Sequence, residues 1–160
     1  MNDANTSGRV ASLHLHPAKS GEPLTGVDVI EVVAEKGIVG GGRYFGRVNS
    51  STGLPGKRQV TLIEREQIAE HTPILGLETI PPGAVRANVE TIGVDLISLI
   101  GRKVAVGGAV LLFYEARTPC EKMDRICEGL RAAMKNQKQG VLAQVVRPGR
   151  IRVGDPINPL

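Results

Sequence analysis

Cys120 is the residue of this sequence with the clearest chemical potential, because it stands where a predicted helix begins. It belongs to the run Thr118-Pro119-Cys120-Glu121, directly after a segment with strong β patterning. Thr118 fits an N-cap and Pro119 the first helical position. Glu121 would be the third helical residue, so it can close a capping box with Thr118. Cys120 is then predicted at the second position of the helix.

This position favours the thiolate form of Cys120. Free backbone N–H groups and the positive end of the helix dipole stabilise an anion there. Arg117 and Lys122 add cationic charge on either side, and such surroundings lower a thiol pKa. A lone cysteine is more often a buried apolar residue than a nucleophile. The cap position reverses that expectation, so we predict a reactive thiol.

The second cysteine, Cys127, is predicted to be structural. It lies in an apolar stripe at helical spacing with Met123, Ile126, Leu130 and Met134. Seven residues along one helix correspond to about 10 Å, which is beyond the Cα separation of a disulfide. Both thiols are therefore expected to be reduced.

Arg86 and Asn88 are candidate binding residues. The segment Val85 to Ile92 is predicted as a strand, and a period of two places both side chains on one face. A polar pair on an apolar strand must meet solvent or line a polar pocket. The strand pattern leaves both alternatives open.

The histidines give little support for a metal site. His14 and His16 alternate with apolar residues on a strand predicted over residues 11–16 and ended by Pro17. A His-x-His pair can bind metal, but no nearby Cys, Asp or Glu completes a ligand set. We therefore interpret the pair as solvent-facing. His71, near the end of a short predicted helix, is interpreted as structural.

The composition predicts one mostly β domain. The chain has 160 residues, 41% of them apolar and 2% aromatic, with 20 Gly and 10 Pro. Residues 1–8 are expected to be a disordered lead and residues 9–160 one domain. About eight short strands with two short helices predict a closed or nearly closed β-barrel, because closure removes exposed sheet edges. The predicted elements are strands at 27–34, 57–63, 103–106, 109–116 and 140–146, a final strand and turn at 151–156, a helix at 64–71 and a helical turn at 96–100.

Two further segments are predicted as loops. Consecutive glycines at Gly40 to Gly42 permit close backbone approach to a ligand or a very tight turn. Residues 47–56 form a long polar loop, of a length that often carries function.

The charge balance raises nucleic acid as a partner, but the pattern does not support it. The formal net charge is +4 and the pI about 9.3. The basic residues are scattered, Trp is absent and only two Tyr and two Phe could stack on bases. The N-terminus is polar, and no run approaches the ~18 apolar residues of a membrane span. We expect a cytoplasmic protein that binds neither nucleic acid nor membranes.

Several short motifs, taken in order, resemble the MOSC domain family, named for the C-terminal domain of molybdenum-cofactor sulfurase. The resemblance runs from about Arg9 to Pro159. The motifs are the glycine-rich stretch, Arg58-Gln59-Val60 with Glu64, Pro82-Gly83 leading to Arg86 and Asn88, Gly93-Val94-Asp95-Leu96, Gly107, Arg117-Thr118-Pro119-Cys120, Pro148-Gly149 and Val153-Gly154-Asp155.

The resemblance implies a barrel similar to that of pyruvate kinase and a role with the molybdenum cofactor. Family members are associated with binding this cofactor, with carrying sulfur on a cysteine, or with molybdenum-dependent reduction of N-hydroxylated compounds. It implies that Cys120 carries persulfide sulfur or ligates molybdenum. Our leading hypothesis adds that Arg58, Arg86 and Arg117 bind the anionic molybdopterin, with Asn88 as an orienting hydrogen-bond partner.

The chain departs from the family pattern at Gly42, Tyr44 and Ala87, where many members have Asp, His and an acidic residue. These departures raise the alternative of a non-catalytic module that binds an anion or a partner. The large pyridoxal-phosphate domain of full sulfurases is absent, so no covalently bound pyridoxal phosphate is expected. A cysteine desulfurase or other sulfur donor, or electron-transfer partners, would be needed. If the protein is an enzyme, it is expected to be a sulfur-transfer or molybdenum-dependent reductase component.

Overall fold

A computed structural model describes residues 8–17, 19, 22, 24–74, 76, 79–118, 129, 132 and 139–160. These residues form short strands and one α-helix, α1 (Arg65–Ile74). The strands are β1 (Gly8–Leu15), β2 (Thr25–Val27), β3 (Val29–Val33), β4 (Gly37–Ile38), β5 (Val60–Glu64), β6 (Val89–Ile92), β7 (Lys103–Val106), β8 (Ala109–Ala116), β9 (Val141–Arg147), β10 (Gly149–Arg152) and β11 (Pro156–Pro159).

Seven of the strands close into a barrel. Their order is β11-β7-β8-β9-β5-β6-β1, and β1 pairs back with β11 through Gly8 and Ile157. The pair β5 and β6 is parallel, whereas the other neighbours in the barrel are antiparallel. The prediction of a mostly β protein with a closed barrel is confirmed.

The strands alternate between the barrel interior and a second apolar layer outside it. Val60 and Leu62 belong to the main core, together with Leu111 and Phe113. Ile63, which points the other way from Leu62, packs instead in a smaller buried cluster. The other members of that cluster are Ile68 of α1 and the residues Ile80, Val85 and Ala87. The segment that precedes β6 is therefore held against the outside of the barrel.

One strand predicted as a single element is divided in the structure. The strand predicted at 27–34 breaks at Asp28, because β2 joins the barrel sheet through β1 while β3 pairs with β10 in a separate three-stranded sheet. The strand and turn predicted at 151–156 correspond to the end of β10 and the turn that leads into β11. The backbone N–H of Arg152 donates to Oδ2 of Asp155 at 2.7 Å and turns the chain there.

The prediction of a strand over Val85 to Ile92 is wrong in its first half. β6 begins only at Val89, and the preceding residues form turns. Arg86 has a φ of +64°, which no β-strand residue adopts. Arg86 and Asn88 are therefore not two positions on one face of a strand.

Other predicted elements agree closely with the structure. β7 and β8 have the predicted bounds, and the turn at 96–100 contains a 3₁₀ helix at Ile97–Leu99. The helix predicted after Thr118, with Cys120 and Cys127, lies outside the described residues, as does the lead before Gly8. Within the described part, every helix is too short or too polar to span a bilayer.

Candidate functional site

The turn at residues 81–88, here called the 81–88 turn, is anchored by a buried carboxylate. Glu90, at the start of β6, is fully buried. Its Oε2 accepts a hydrogen bond from the backbone N–H of Gly83 at 2.7 Å. Its Oε1 forms an ion pair with Nη1 of Arg65 at 2.6 Å. A buried carboxylate is stable only when such partners replace water, so Glu90 fixes the turn against α1.

Arg117 fixes the other end of this turn. The side chain is only 6% exposed. Its Nη1 donates to the carbonyl of Val85 at 3.3 Å and its Nη2 to the carbonyl of Arg86 at 3.0 Å. Its backbone N–H donates to the carbonyl of Gly140 at 2.9 Å, just beyond the end of β8. The guanidinium thus ties the barrel rim to the 81–88 turn, and cofactor binding by Arg117 stays a prediction.

Arg86 is held in a strained backbone conformation by these contacts. Left-handed φ values in residues other than glycine cost of order 1 kcal/mol and persist where the surroundings determine them. Here Arg117 binds the Arg86 carbonyl, while Nη1 of Arg86 donates to the carbonyl of Glu22 at 2.9 Å. The structure therefore brings Arg86 and Arg117 together, as a backbone clamp.

Asn88 cross-links two strands to the residue before β6 through its side-chain amide. It is 3% exposed. Its Oδ1 accepts from both the backbone N–H and the hydroxyl of Thr61, each at 3.0 Å. Its Nδ2 donates to the carbonyl of His14 at 3.2 Å. These bonds join β5, β1 and the residue before β6, so the amide has a structural role, and its predicted role toward a cofactor stays a prediction.

The interpretation of His14 and His16 as solvent-facing is wrong, because they are 3% and 8% exposed. The 81–88 turn covers His14, whose Nδ1 lies 3.0 Å from the carbonyl of Ala87. A carbonyl only accepts, so Nδ1 carries the proton and donates. The ring of His16 packs at 4.8 Å from the ring of Tyr44. Among the described residues no three His, Cys, Asp or Glu side chains form a metal-binding group.

The glycine-rich loop packs against protein backbone at Gly42. Its φ is +63°, and a Cβ there would lie 2.6 Å from the carbonyl oxygen of Pro17. The positive φ favours glycine, and the close carbonyl leaves no room for a Cβ, so the position requires glycine. Of the two predicted uses of the loop, the tight turn is the one observed at this position. The structure thus gives a physical reason why Gly42, rather than Asp, occupies it.

Arg58 lines an open cleft of about 480 Å³, here called the basic cleft. The described residues that line it include three cations, Arg47, Lys57 and Arg58, and no acidic residue. The guanidinium carbon of Arg58 lies 5.1 Å from the centre of the Tyr44 ring, which is cation–π geometry. The cleft therefore combines excess positive charge with an aromatic support.

The loop that shapes this cleft is locally ordered by its own polar groups. Oδ1 of Asn49 accepts from the backbone N–H groups of Ser51 and Thr52, at 2.9 and 3.2 Å. The backbone N–H of Gly56 donates to the carbonyl of Arg47 at 2.8 Å, closing the loop. This brings Arg47, before the loop, close to the cations after it. Sequence reasoning missed Arg47 and Lys57, although basic residues at both ends of a polar loop were visible.

Tyr114 is a further polar group near Arg58. Burial raises the pKa of its phenol, the negative charge of Glu115 raises it further, and the positive charge of Arg58 opposes both. The phenol is therefore a protonated hydrogen-bond donor at neutral pH. Tyr114 lies on β8, and this strand ends just before Arg117. The strand therefore connects the neighbourhood of Arg58 with Arg117.

These features define a small closed β-barrel protein with a basic cleft and a clamped polar turn. The chain belongs to the MOSC domain family, whose model matches residues 13–158. This family is associated with proteins related to molybdenum-cofactor sulfurase.

Solved structures share the fold. The YuaD protein from Bacillus subtilis is similar with a TM-score of 0.79, 22% identity and coverage of 94% of each chain. YiiM from Geobacillus stearothermophilus has a TM-score of 0.72 and 17% identity, over 96% of this chain and 75% of that one. YiiM from Escherichia coli has a TM-score of 0.67 and 19% identity, over 95% and 69%. Comparison with curated proteins gave no match.

Proposed function

We propose that this protein works with the molybdenum cofactor, with Cys120 as an activated thiol that carries persulfide sulfur or ligates molybdenum. In this proposal the basic cleft binds the anionic part of the cofactor. The observation that carries the proposal is the gathering of Arg47, Lys57 and Arg58, with no acidic residue among the described residues that line the cleft, in a member of the MOSC family.

The residues of the cleft fit an anionic ligand. Arg58 offers planar donors that can engage two phosphate oxygens at once, and Tyr44 holds its guanidinium from behind. Lys57 and Arg47 add charge at the same cleft. The cofactor, when bound, would supply a redox-active metal centre. The chain's own contribution would be to bind the anion and to present a thiolate.

Arg117 supports the thiolate from a fixed position. Arg117 precedes Cys120 by three residues in the sequence. Its guanidinium is anchored by the carbonyls of Val85 and Arg86. Cationic charge close to a thiol favours the ionised sulfur, and in this proposal Arg117 contributes such charge. We therefore assign Arg117 a positioning and electrostatic role.

A persulfide on Cys120 can form without an external oxidant. The Cys120 thiolate attacks the outer sulfur of a donor persulfide, a new S–S bond forms, and the donor leaves as its thiolate. The donor would be a cysteine desulfurase or another persulfide protein. If Cys120 instead ligates molybdenum in a redox reaction, electron-transfer partners take the place of the sulfur donor.

The pH dependence of Cys120 alkylation tests this proposal. Using Cys127→Ser, which leaves one thiol, we expect an apparent pKa clearly below the ordinary 8.5. Mass spectrometry of protein from its own host should find an added sulfur on Cys120 and bound molybdopterin. An ordinary pKa, together with unchanged cofactor affinity and coupled activity in Cys120→Ser, would refute the thiol-centred function.

The second candidate is a non-catalytic module that binds an anion or partner through the basic cleft. The backbone at Gly42 supports it, because that position excludes an Asp side chain. The two candidates separate on matched variants. Loss of binding in Arg58→Gln with no effect of Cys120→Ser favours the module, whereas loss of activity in both favours the thiol.

A further inference from the structure

A second cavity, of about 360 Å³, opens between β1, β2 and the 81–88 turn, and is here called the β1–β2 pocket. We propose that it binds the ammonium group of a small primary alkylamine. The described residues that line it are Ser12, Leu13, His14, Gly26, Val27, Asp28, Pro82 and Val153. None of them belongs to the basic cleft, and the proposal does not depend on the function proposed for Cys120.

The pocket exists because β1 changes partner along its length. Its first residues pair with β11 through Arg9 and Pro156, and its last residues pair with β2 through Leu13 and Val27. Between them the pairing of β1 with β6 shifts register between Val10 and Ser12. Such irregularities redirect side chains and are frequent beside binding sites. Ser12 thus stands where one neighbouring strand has ended and the next begins.

Two side chains of β1 bring hydrogen-bonding atoms to this opening. Ser12 and His14 are two residues apart and project to the same face, opposite the core residue Leu13. The Ser12 hydroxyl is buried and has no hydrogen-bond partner among the described residues. A buried polar atom without a partner is unfavourable unless a ligand or water completes it. Ser12 therefore indicates a missing hydrogen-bond donor or acceptor at this place.

The preference for a donor comes from His14 and Asp28. Since Nδ1 of His14 donates to the carbonyl of Ala87, the neutral ring has Nε2 as its acceptor. Asp28 is the single charged residue among the described lining residues, and its carboxylate only accepts. An ammonium group has three N–H donors and a positive charge. It matches the serine hydroxyl, the imidazole and the carboxylate together.

The remaining walls select an alkyl substituent and disfavour other ligands. Val27, Pro82 and Val153 provide apolar surface beside the polar groups. A carboxylate or phosphate would face the charge of Asp28. A divalent metal would find one imidazole and one carboxylate, fewer than the three such groups that a protein site usually provides. A water molecule on Ser12 is the simplest competitor.

The test is a titration of the full chain, labelled with ¹⁵N, with propylammonium chloride at pH 7.5, followed by amide NMR. We expect saturable shifts concentrated at Ser12, His14 and Asp28. Sodium propionate and tetramethylammonium chloride, which lack a cationic N–H donor, should give no saturable shifts there. Asp28→Asn and Ser12→Ala should each weaken propylammonium binding at least about fivefold, while Glu31→Gln, an exposed acid of β3, should leave it unchanged.

Each other outcome counts against the proposal. Absence of saturation, or equal shifts with propionate, would overturn it. If Ser12→Ala raises the unfolding temperature without changing the response to propylammonium, the hydroxyl faces water only and the proposal is wrong. Both substitutions are small and remove no backbone hydrogen bond of β1, β2 or β3, so the variants are expected to fold.

Discussion

Replacing Arg117 should destabilise the protein far more than replacing an exposed arginine. Arg117→Met removes two charge-assisted hydrogen bonds, to the carbonyls of Val85 and Arg86, at a site only 6% exposed. Bonds to charged groups contribute about 1.5–3 kcal/mol each, and lost partners leave buried carbonyls without donors. The gross effect is therefore about 3–6 kcal/mol. Water entering at the barrel rim will recover part of it, so we expect a loss of about 3 kcal/mol.

The matched control for this prediction is Arg102→Met. Arg102 is exposed, and its Nη2 donates to one carbonyl, that of Leu160, at 2.9 Å. Water replaces that bond readily, so the loss should stay below about 1 kcal/mol. Arg117→Lys keeps the charge without the fork that reaches two carbonyls, and should fall between wild type and Arg117→Met.

Urea unfolding followed by far-UV circular dichroism gives the measurement, since the chain has no Trp. With a slope of about 2 kcal/mol/M, a loss of 3 kcal/mol lowers the midpoint by about 1.5 M. Equal small shifts in Arg117→Met and Arg102→Met would refute the assignment of Arg117 as the clamp of the 81–88 turn.

Three further outcomes are expected. Gly42→Ala should lower the unfolding temperature clearly more than Gly46→Ala. Both glycines have a positive φ, but only at Gly42 would a Cβ lie 2.6 Å from a carbonyl oxygen. Equal losses in the two variants would contradict this packing. Burial, opposed by a backbone hydrogen bond and reinforced by neighbouring carboxylates, raises the pKa of Glu64. The Glu64 carboxyl then binds its proton more tightly in the folded state than in the unfolded state. The free energy of unfolding therefore falls as the pH rises from the Glu64 pKa of the unfolded state through that of the folded state. Glu64→Gln should therefore gain stability relative to wild type over that interval in urea titrations at several pH values, and a pH-independent difference would exclude this cause. Arg58→Gln should weaken binding of inorganic pyrophosphate measured by calorimetry at least about tenfold, with Arg102→Gln unchanged; equal affinities would exclude the basic cleft as an anion site.

The barrel strands were predictable because their signals are local. β7 and β8 carry apolar residues in strand-like runs and are separated by Gly107 and Gly108, which favour a turn. Closure of the β-barrel was predicted from the number of short strands and the shortage of helices. The break at Asp28 was missed because it depends on which distant strand the chain meets next.

The candidate site was predictable in its residue types but not in their roles. Arg117 and Asn88 act on backbone groups 27–32 residues away in the sequence, at Thr61, Val85 and Arg86. No local pattern contains such contacts, and the Val85 to Ile92 segment read as one strand for that reason. His14 was misjudged because the residues that bury it come from the same distant turn.

The backbone hydrogen bond from Arg117 to the carbonyl of Gly140 continues the pairing of β8 with β9 one step beyond Ala116 and Val141. A Cβ at Gly140 would collide with the carbonyl of Leu62, so the point where the chain returns to β9 is fixed. Closing a loop costs only about 0.6 kcal/mol more for each doubling of its length. The described residues on either side of the chain between β8 and β9 therefore hold its two ends in place, at a closure cost that changes little with the number of residues between them.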